Sequence, residues 1–181
     1  LTLHFRAGPP TSLAFEAAAF TASVDDPAAI GVRALDTYGN LADSFDGSVT
    51  VYKANSPSET TLAELVAGSG EALVTHRLVE MVVLSLDDTA STGLRVDGAS
   101  TNVTFQAGIA RTVDLTAVGP TTASVQDYME VQMTARDAYG NIAVSPVSLQ
   151  VVTTGQALVS GGSAINLVDG AGTARITNRI A

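Results

Sequence analysis

The 181-residue chain contains no cysteine. That absence excludes disulfides, thiol nucleophiles and thiolate metal sites together, while leaving the compartment open. Tryptophan is also missing and aromatics amount to 5%, so any core must be built from Val, Leu, Ile and Ala with a few Phe and Tyr. Charged residues make up 15%, against about 25% in an ordinary soluble domain. Lys53 is the single lysine, the arginines are scattered, and the net charge is −9. Phosphate binding needs clustered Lys and Arg, so nucleic acid is excluded as a partner and an anionic lipid surface is disfavoured. No apolar run approaches the roughly 20 residues of a membrane helix, so membrane insertion by a helix is excluded too. The opening residues, Leu1 to Gly8, lack the basic start and apolar stretch of a signal peptide. The expectation is an internal piece of a longer secreted protein.

What is present is a repeat. Asp36-Thr37-Tyr38-Gly39-Asn40-Leu41-Ala42 returns as Asp137-Ala138-Tyr139-Gly140-Asn141-Ile142-Ala143, 101 positions later. Leu3-His4-Phe5-Arg6-Ala7-Gly8 is echoed by Val103-Thr104-Phe105-Gln106-Ala107-Gly108, and Phe20–Asp26 by Thr121–Asp127. Gly68-Ser69-Gly70-Glu71-Ala72 is echoed by Gly170-Ala171-Gly172-Thr173-Ala174. Four blocks in one order establish a real internal repeat. A period near 100 residues exceeds that of solenoids and matches an immunoglobulin-like sandwich.

Between turn signals the segments are short and alternate, as half-buried strands do. Val49 and Val51 oppose Ser48, Thr50 and Tyr52; Val82, Leu84 and Leu86 oppose Val83 and Ser85. Val103 and Phe105 oppose Thr104 and Gln106, and Val131 and Met133 oppose Gln132 and Thr134. Val147, Leu149 and Val151 oppose Ser148 and Gln150. Thr60 to Val66 has helical spacing but is too short and uncapped, and reads as strand or loop. The chain is therefore expected to be all-β, with two tandem immunoglobulin-like β-sandwich repeats. Residues 1–8 read as the last strand of a preceding repeat, 9–108 as a complete repeat, and 109–181 as a second repeat lacking its final two strands. A sandwich so shortened exposes its core and its sheet edges. Either the chain continues, or another copy supplies the missing strands by strand complementation.

The pattern Ala-x-Asp-x-Tyr-Gly-Asn between alternating strands, with Phe-x-Ala-Gly at the repeat end, resembles Ig-like repeats of large surface and adhesion proteins of bacteria and algae. These include the invasin and intimin type, and filamin-type repeats carry a similar motif. The resemblance spans nearly the whole chain, with a longer segment at Ser56–Ala67 and an early stop in the second repeat. It implies a spacer that stacks into rods, projects a tip or builds an appendage at the cell surface. Neighbouring repeats in the same chain, or other copies of it, are then the expected partners. A carbohydrate- or protein-binding adhesion module is one alternative, with Tyr52 and Tyr128 as contributors. An intracellular filamin-like scaffold is another.

The sharpest local signals are the two turns, Asp36, Tyr38, Gly39, Asn40 and Asp137, Tyr139, Gly140, Asn141. Gly and Asn tolerate left-handed backbone, Asp accepts bonds from backbone amides, and the tyrosine rings are expected to cover the turn. The functional alternative makes Asp25, Asp26, Asp36 and Asp137 calcium ligands, although calcium wants six to eight oxygens and dense acidic spacing is missing. No other cofactor and no enzyme activity is expected. His4 and His76 lie in strand-like segments without counterparts in the other repeat. Gly68-Ser69-Gly70 and Gly161-Gly162 stand between strands rather than before a helix. Asp87-Asp88 lacks an opposing carboxylate. Asn102-Val103-Thr104 is an N-glycosylation sequon, expected to be accessible just before a strand.

Overall fold

The computed structural model describes every residue except 1, 4, 5, 97, 98, 126, 145, 154–156, 161–163 and 179–181. His4, Gly161 and Gly162 lie outside the described residues. The chain divides into two units, Leu1–Gln106 and Ala107–Ala181. Among the described residues both are built of strands and turns, with no helix.

Unit 1 contains β1 (Ser12–Phe15), β2 (Ala19–Ser23), β3 (Ala28–Leu35), β4 (Gly47–Lys53), β5 (Ser56–Leu65), β6 (Ser69–Val74), β7 (Met81–Asp87) and β8 (Ser100–Gln106). They form a three-stranded sheet, β1-β3-β6, and a five-stranded sheet, β2-β8-β7-β4-β5. Neighbours run antiparallel except β2 and β8, which pair in parallel. The two sheets form an immunoglobulin-like sandwich. Alternation decides which faces meet: Ile30, Val32 and Ala34 of β3 are buried against Val49 and Val51 of β4, Val82, Leu84 and Leu86 of β7, and Val103 and Phe105 of β8. Burying each such Val, Leu, Ile or Phe contributes about 1.5–3 kcal/mol. The helical spacing at Thr60–Val66 is overridden, because Thr60–Leu65 of β5 pair without a break with Gly47–Tyr52 of β4. The described residues of segment 1–8 lie outside any strand.

Unit 2 contains β9 (Thr112–Val118), β10 (Tyr128–Arg136), β11 (Val147–Gln150), β12 (Ala157–Ser160), β13 (Ala164–Leu167) and β14 (Ala171–Asn178). Its sheets are β12-β14-β10-β9 and β11-β13. The three-stranded sheet of unit 1 is reproduced: Leu13 pairs with Ala34 there, and Val113 with Ala135 here. The opposing sheet is not, since the described residues hold no counterpart of β7 or β8. The buried core shrinks accordingly to Met133, Ala135, Ala143, Leu167 and Ala174.

The glycine turns repeat as well. Ala67-Gly68 and Asp169-Gly170 all have positive φ (51°, 79°, 49° and 74°), the signature of a two-residue type I′ hairpin turn. A Cβ on Gly68 would lie 2.4 Å from the Ala42 carbonyl oxygen, and one on Gly170 2.5 Å from that of Ala143. The hairpin thus packs directly on the Asp-x-Tyr-Gly-Asn loop of its own unit.

Candidate functional site

In each unit the buried aspartate organises that loop. Asp36 is 3% exposed. Its Oδ1 accepts from the N–H of Tyr38 and of Asn40, both at 2.9 Å. Its Oδ2 accepts from the N–H of Gly8 at 2.9 Å and from the Asn40 amide at 3.1 Å. Asp137 repeats the set: Tyr139 and Asn141 N–H on Oδ1 at 2.8 and 3.0 Å, Gly108 N–H and the Asn141 amide on Oδ2 at 3.0 and 2.9 Å. The carboxylate therefore ties the Ala-Gly lead-in of each unit to the end of β3 or β10. Two sequence blocks that recur about 30 residues apart prove to be two halves of one clasp.

Electrostatics follow from the donors. The Gly8 N–H, then the Asn40 side chain, hold the Asp36 carboxyl at about 2, against an ordinary 3.8. For Asp137 burial is the largest single influence and pushes upward, yet the bonds from Asn141, Gly108 and Tyr139 together outweigh it and hold the carboxyl low.

Two expectations about the loop are corrected. Tyr38 is 86% exposed and Tyr139 44%, so the Tyr38 ring projects into solvent instead of covering its turn. The left-handed backbone belongs to Gly39 and Gly140, at φ 81° and 88°. Asn40 and Asn141 serve as hydrogen-bond partners of the aspartate instead.

The calcium candidates of unit 1 are not brought together. Asp25 and Asp26 precede β3 and Asp36 follows it, and eight extended residues span about 26 Å. The Asp25 N–H bonds to the Ser23 hydroxyl. Among the described residues no group of three or more His, Asp or Glu is placed to hold a metal ion. Asp88 accepts from the N–H of Thr92 and Gly93, and the Thr92 N–H leads in holding its carboxyl low. Asn102 lies within β8 rather than before it, exposed on the outer face between β2 and β7. Tyr128 lies under the Arg175 guanidinium at 4.6 Å.

One cluster escaped the sequence reading. Lys53 continues the inward alternation of Val49 and Val51, and its side chain is 9% exposed. Its ammonium donates to Glu59 at 2.5 Å and to His76 Nδ1 at 3.2 Å. An ammonium has no acceptor capacity, so Nδ1 is the acceptor and Nε2 carries the proton donated to Glu80 at 2.6 Å. The Lys53 hydrogen bond and charge hold the Glu59 carboxyl low. His76 follows β6 rather than lying in a strand, and its ring packs 5.2 Å from the buried Phe105. The chain Glu59–Lys53–His76–Glu80 thus closes one end of the unit 1 core, beside a cleft of about 280 Å³ bordered by Tyr52 and Thr61. With the ammonium paired to Glu59 and both ring nitrogens of His76 engaged, it serves packing better than proton transfer.

No protein-family model and no curated protein sequence matches the chain. Among solved structures it is similar to the D00-D0 domain of intimin, with TM-score 0.41 and 13% identity over 93% of this chain and 86% of that one. It is similar to domains 5-6 of the S-layer protein SbsC, with TM-score 0.34 and 15% identity over 93% and 84%. A likeness to the β-glucuronidase of Parabacteroides merdae, TM-score 0.31 and 10% identity, covers 95% of this chain and 22% of the enzyme. The sandwich assignment itself follows from the sheets of unit 1 and their partial reproduction in unit 2.

Proposed function

We propose that the chain is a non-enzymatic structural repeat of an extracellular surface fibre, stalk or appendage, working beside neighbouring Ig-like repeats. The observation that carries this reading is the twinned clasp. The most distinctive repeated residues of the chain, Asp36 and Asp137 with their turns, direct their polar atoms onto their own backbone. Such residues fasten a module at the point where the chain enters it, which suits a spacer. Antibody raised against residues 1–181 should label intact cells of the source. Labelling that appears only after permeabilisation would favour an intracellular, filamin-like scaffold and sink this reading.

A second reading has one observation in its favour: Tyr38, 86% exposed, stands at the tip of a loop at one sandwich end. An exposed aromatic on a rigid loop suits adhesion to carbohydrate or protein. Glycan-array binding that is lost in Tyr38→Ser would support it.

A further inference from the structure

The cluster around Lys53 holds more chemistry than the strand beneath it requires. Ser48-Val49-Thr50-Val51-Tyr52-Lys53 is matched in the repeat by Ser148-Leu149-Gln150-Val151-Val152-Thr153. The apolar positions recur, but the place of Lys53, the chain's single lysine, is taken by Thr153. A buried ion pair contributes little net stability, so the fold alone does not call for an ammonium there. Lys53 is nevertheless 7% exposed and held by Glu59 and His76. An ammonium has three N–H donors, and these two partners use two of them.

The cleft of about 280 Å³ lies beside this ammonium. It is bordered by residues of β5 and β6, which are edge strands of the two sheets of unit 1. Lys53, Glu59, Thr61 and Thr75 supply its polar groups, and Leu73, 60% exposed, supplies an apolar wall. Pockets for drug-sized ligands span roughly 300–1,000 Å³, so this one limits its occupant to about a single ring.

Charge selects among ligands of that size. Glu59 and Glu80 bring two negative charges against the one positive charge of Lys53, with His76 neutral, and the chain as a whole carries −9. Anions are repelled by that balance, and the ammonium at the centre repels cations. A hydroxyl group suits it, because it can accept from the third N–H of Lys53 while donating to the Glu59 carboxylate, both charge-assisted bonds.

We propose that this cleft is a binding site for an uncharged sugar ring. One hydroxyl bridges Lys53 and Glu59, a neighbouring hydroxyl reaches Thr61 or Thr75, and the carbon face of the ring lies against Leu73. The site is separate from the Tyr38 loop and does not rest on a location at the cell surface.

The test is an NMR titration of the whole 15N-labelled chain with the methyl glycosides of glucose, galactose, mannose and N-acetylglucosamine. Glucuronate and inorganic phosphate serve as charged comparisons. The expected result is saturable binding of at least one neutral glycoside in the millimolar range, with amide shifts at Lys53, Glu59–Thr61 and Leu73–Thr75. Lys53→Met should weaken that binding at least tenfold. Thr61→Val, which removes a hydroxyl and keeps the side-chain shape, should weaken it at least threefold. Four results would each overturn the proposal: no saturation with any of the four glycosides, equal binding by Lys53→Met, tighter binding of glucuronate or phosphate, or shifts centred on the Tyr38 loop instead.

Discussion

Asp36 is held ionised by the N–H groups of Gly8, Tyr38 and Asn40, and its folded value near 2 lies below the ordinary 3.8. The unfolded chain therefore binds more protons in that interval. The clasp's contribution is complete above about pH 4 and is lost as pH falls through about 2. Thermal melts between pH 5 and 2 should show unit 1 weakening across that window. Asp36→Ala should lower its Tm by about 5–10 °C at pH 7 and flatten the acid limb. At Lys53 the expectation differs. A buried ammonium depends on its partner, so Glu59→Gln should lower the melting temperature by several degrees, on the order of 5 °C. Lys53→Met should be nearly neutral and should erase the effect of Glu59→Gln; additive losses in the double variant would contradict the pairing. The inward face of Lys53 was legible in principle from Val49 and Val51, but the sequence does not say that Glu59 and His76 fold back to meet it. The aspartates were legible as turn residues. Their bonds to Gly8 and Gly108 were not, because those depend on where the chain enters each unit.

At the scale of elements, the repeated glycine hairpins show how one turn constrains its neighbours. Ala67 has φ 51°, a conformation that costs an L-residue about 1–2 kcal/mol and that Asn tolerates better. Ala67→Asn should raise the Tm of unit 1 by a few degrees, about 3–5 °C. Gly68→Ala should lower it sharply, since both its φ of 79° and the Ala42 carbonyl oppose a side chain. Calorimetry on the two variants checks both signs. Alternation identified β4, β7, β8 and β10 from sequence alone, because each turns its larger apolar residues to one face and polar ones to the other. It placed Asn102 one element too early, since Thr101 and Asn102 already belong to β8. The parallel pairing of β2 with β8 leaves no mark in the sequence. Thr121–Ser124 illustrates the reason: near-identical residues form a strand only beside a partner.

At the scale of the whole molecule, two copies of one pattern differ in how much apolar surface they enclose. Unit 1 has a continuous core between two full sheets, and unit 2 has five buried apolar residues among those described. Stability should divide accordingly, with unit 2 unfolding at lower denaturant concentration than unit 1 and giving two resolved transitions. The repeat pointed to two units, but the arrangement of the described strands of the second into β12-β14-β10-β9 and β11-β13 was not readable from the pattern. The most direct test of this account is hydrogen exchange on the intact chain, comparing β4 with its counterpart β11. The account predicts strong protection throughout β4, which is paired on both sides, and fast exchange at alternate amides of β11, which among the described residues pairs only with β13. Equal protection of the two strands would contradict it, because the edge of unit 2 would then already be covered.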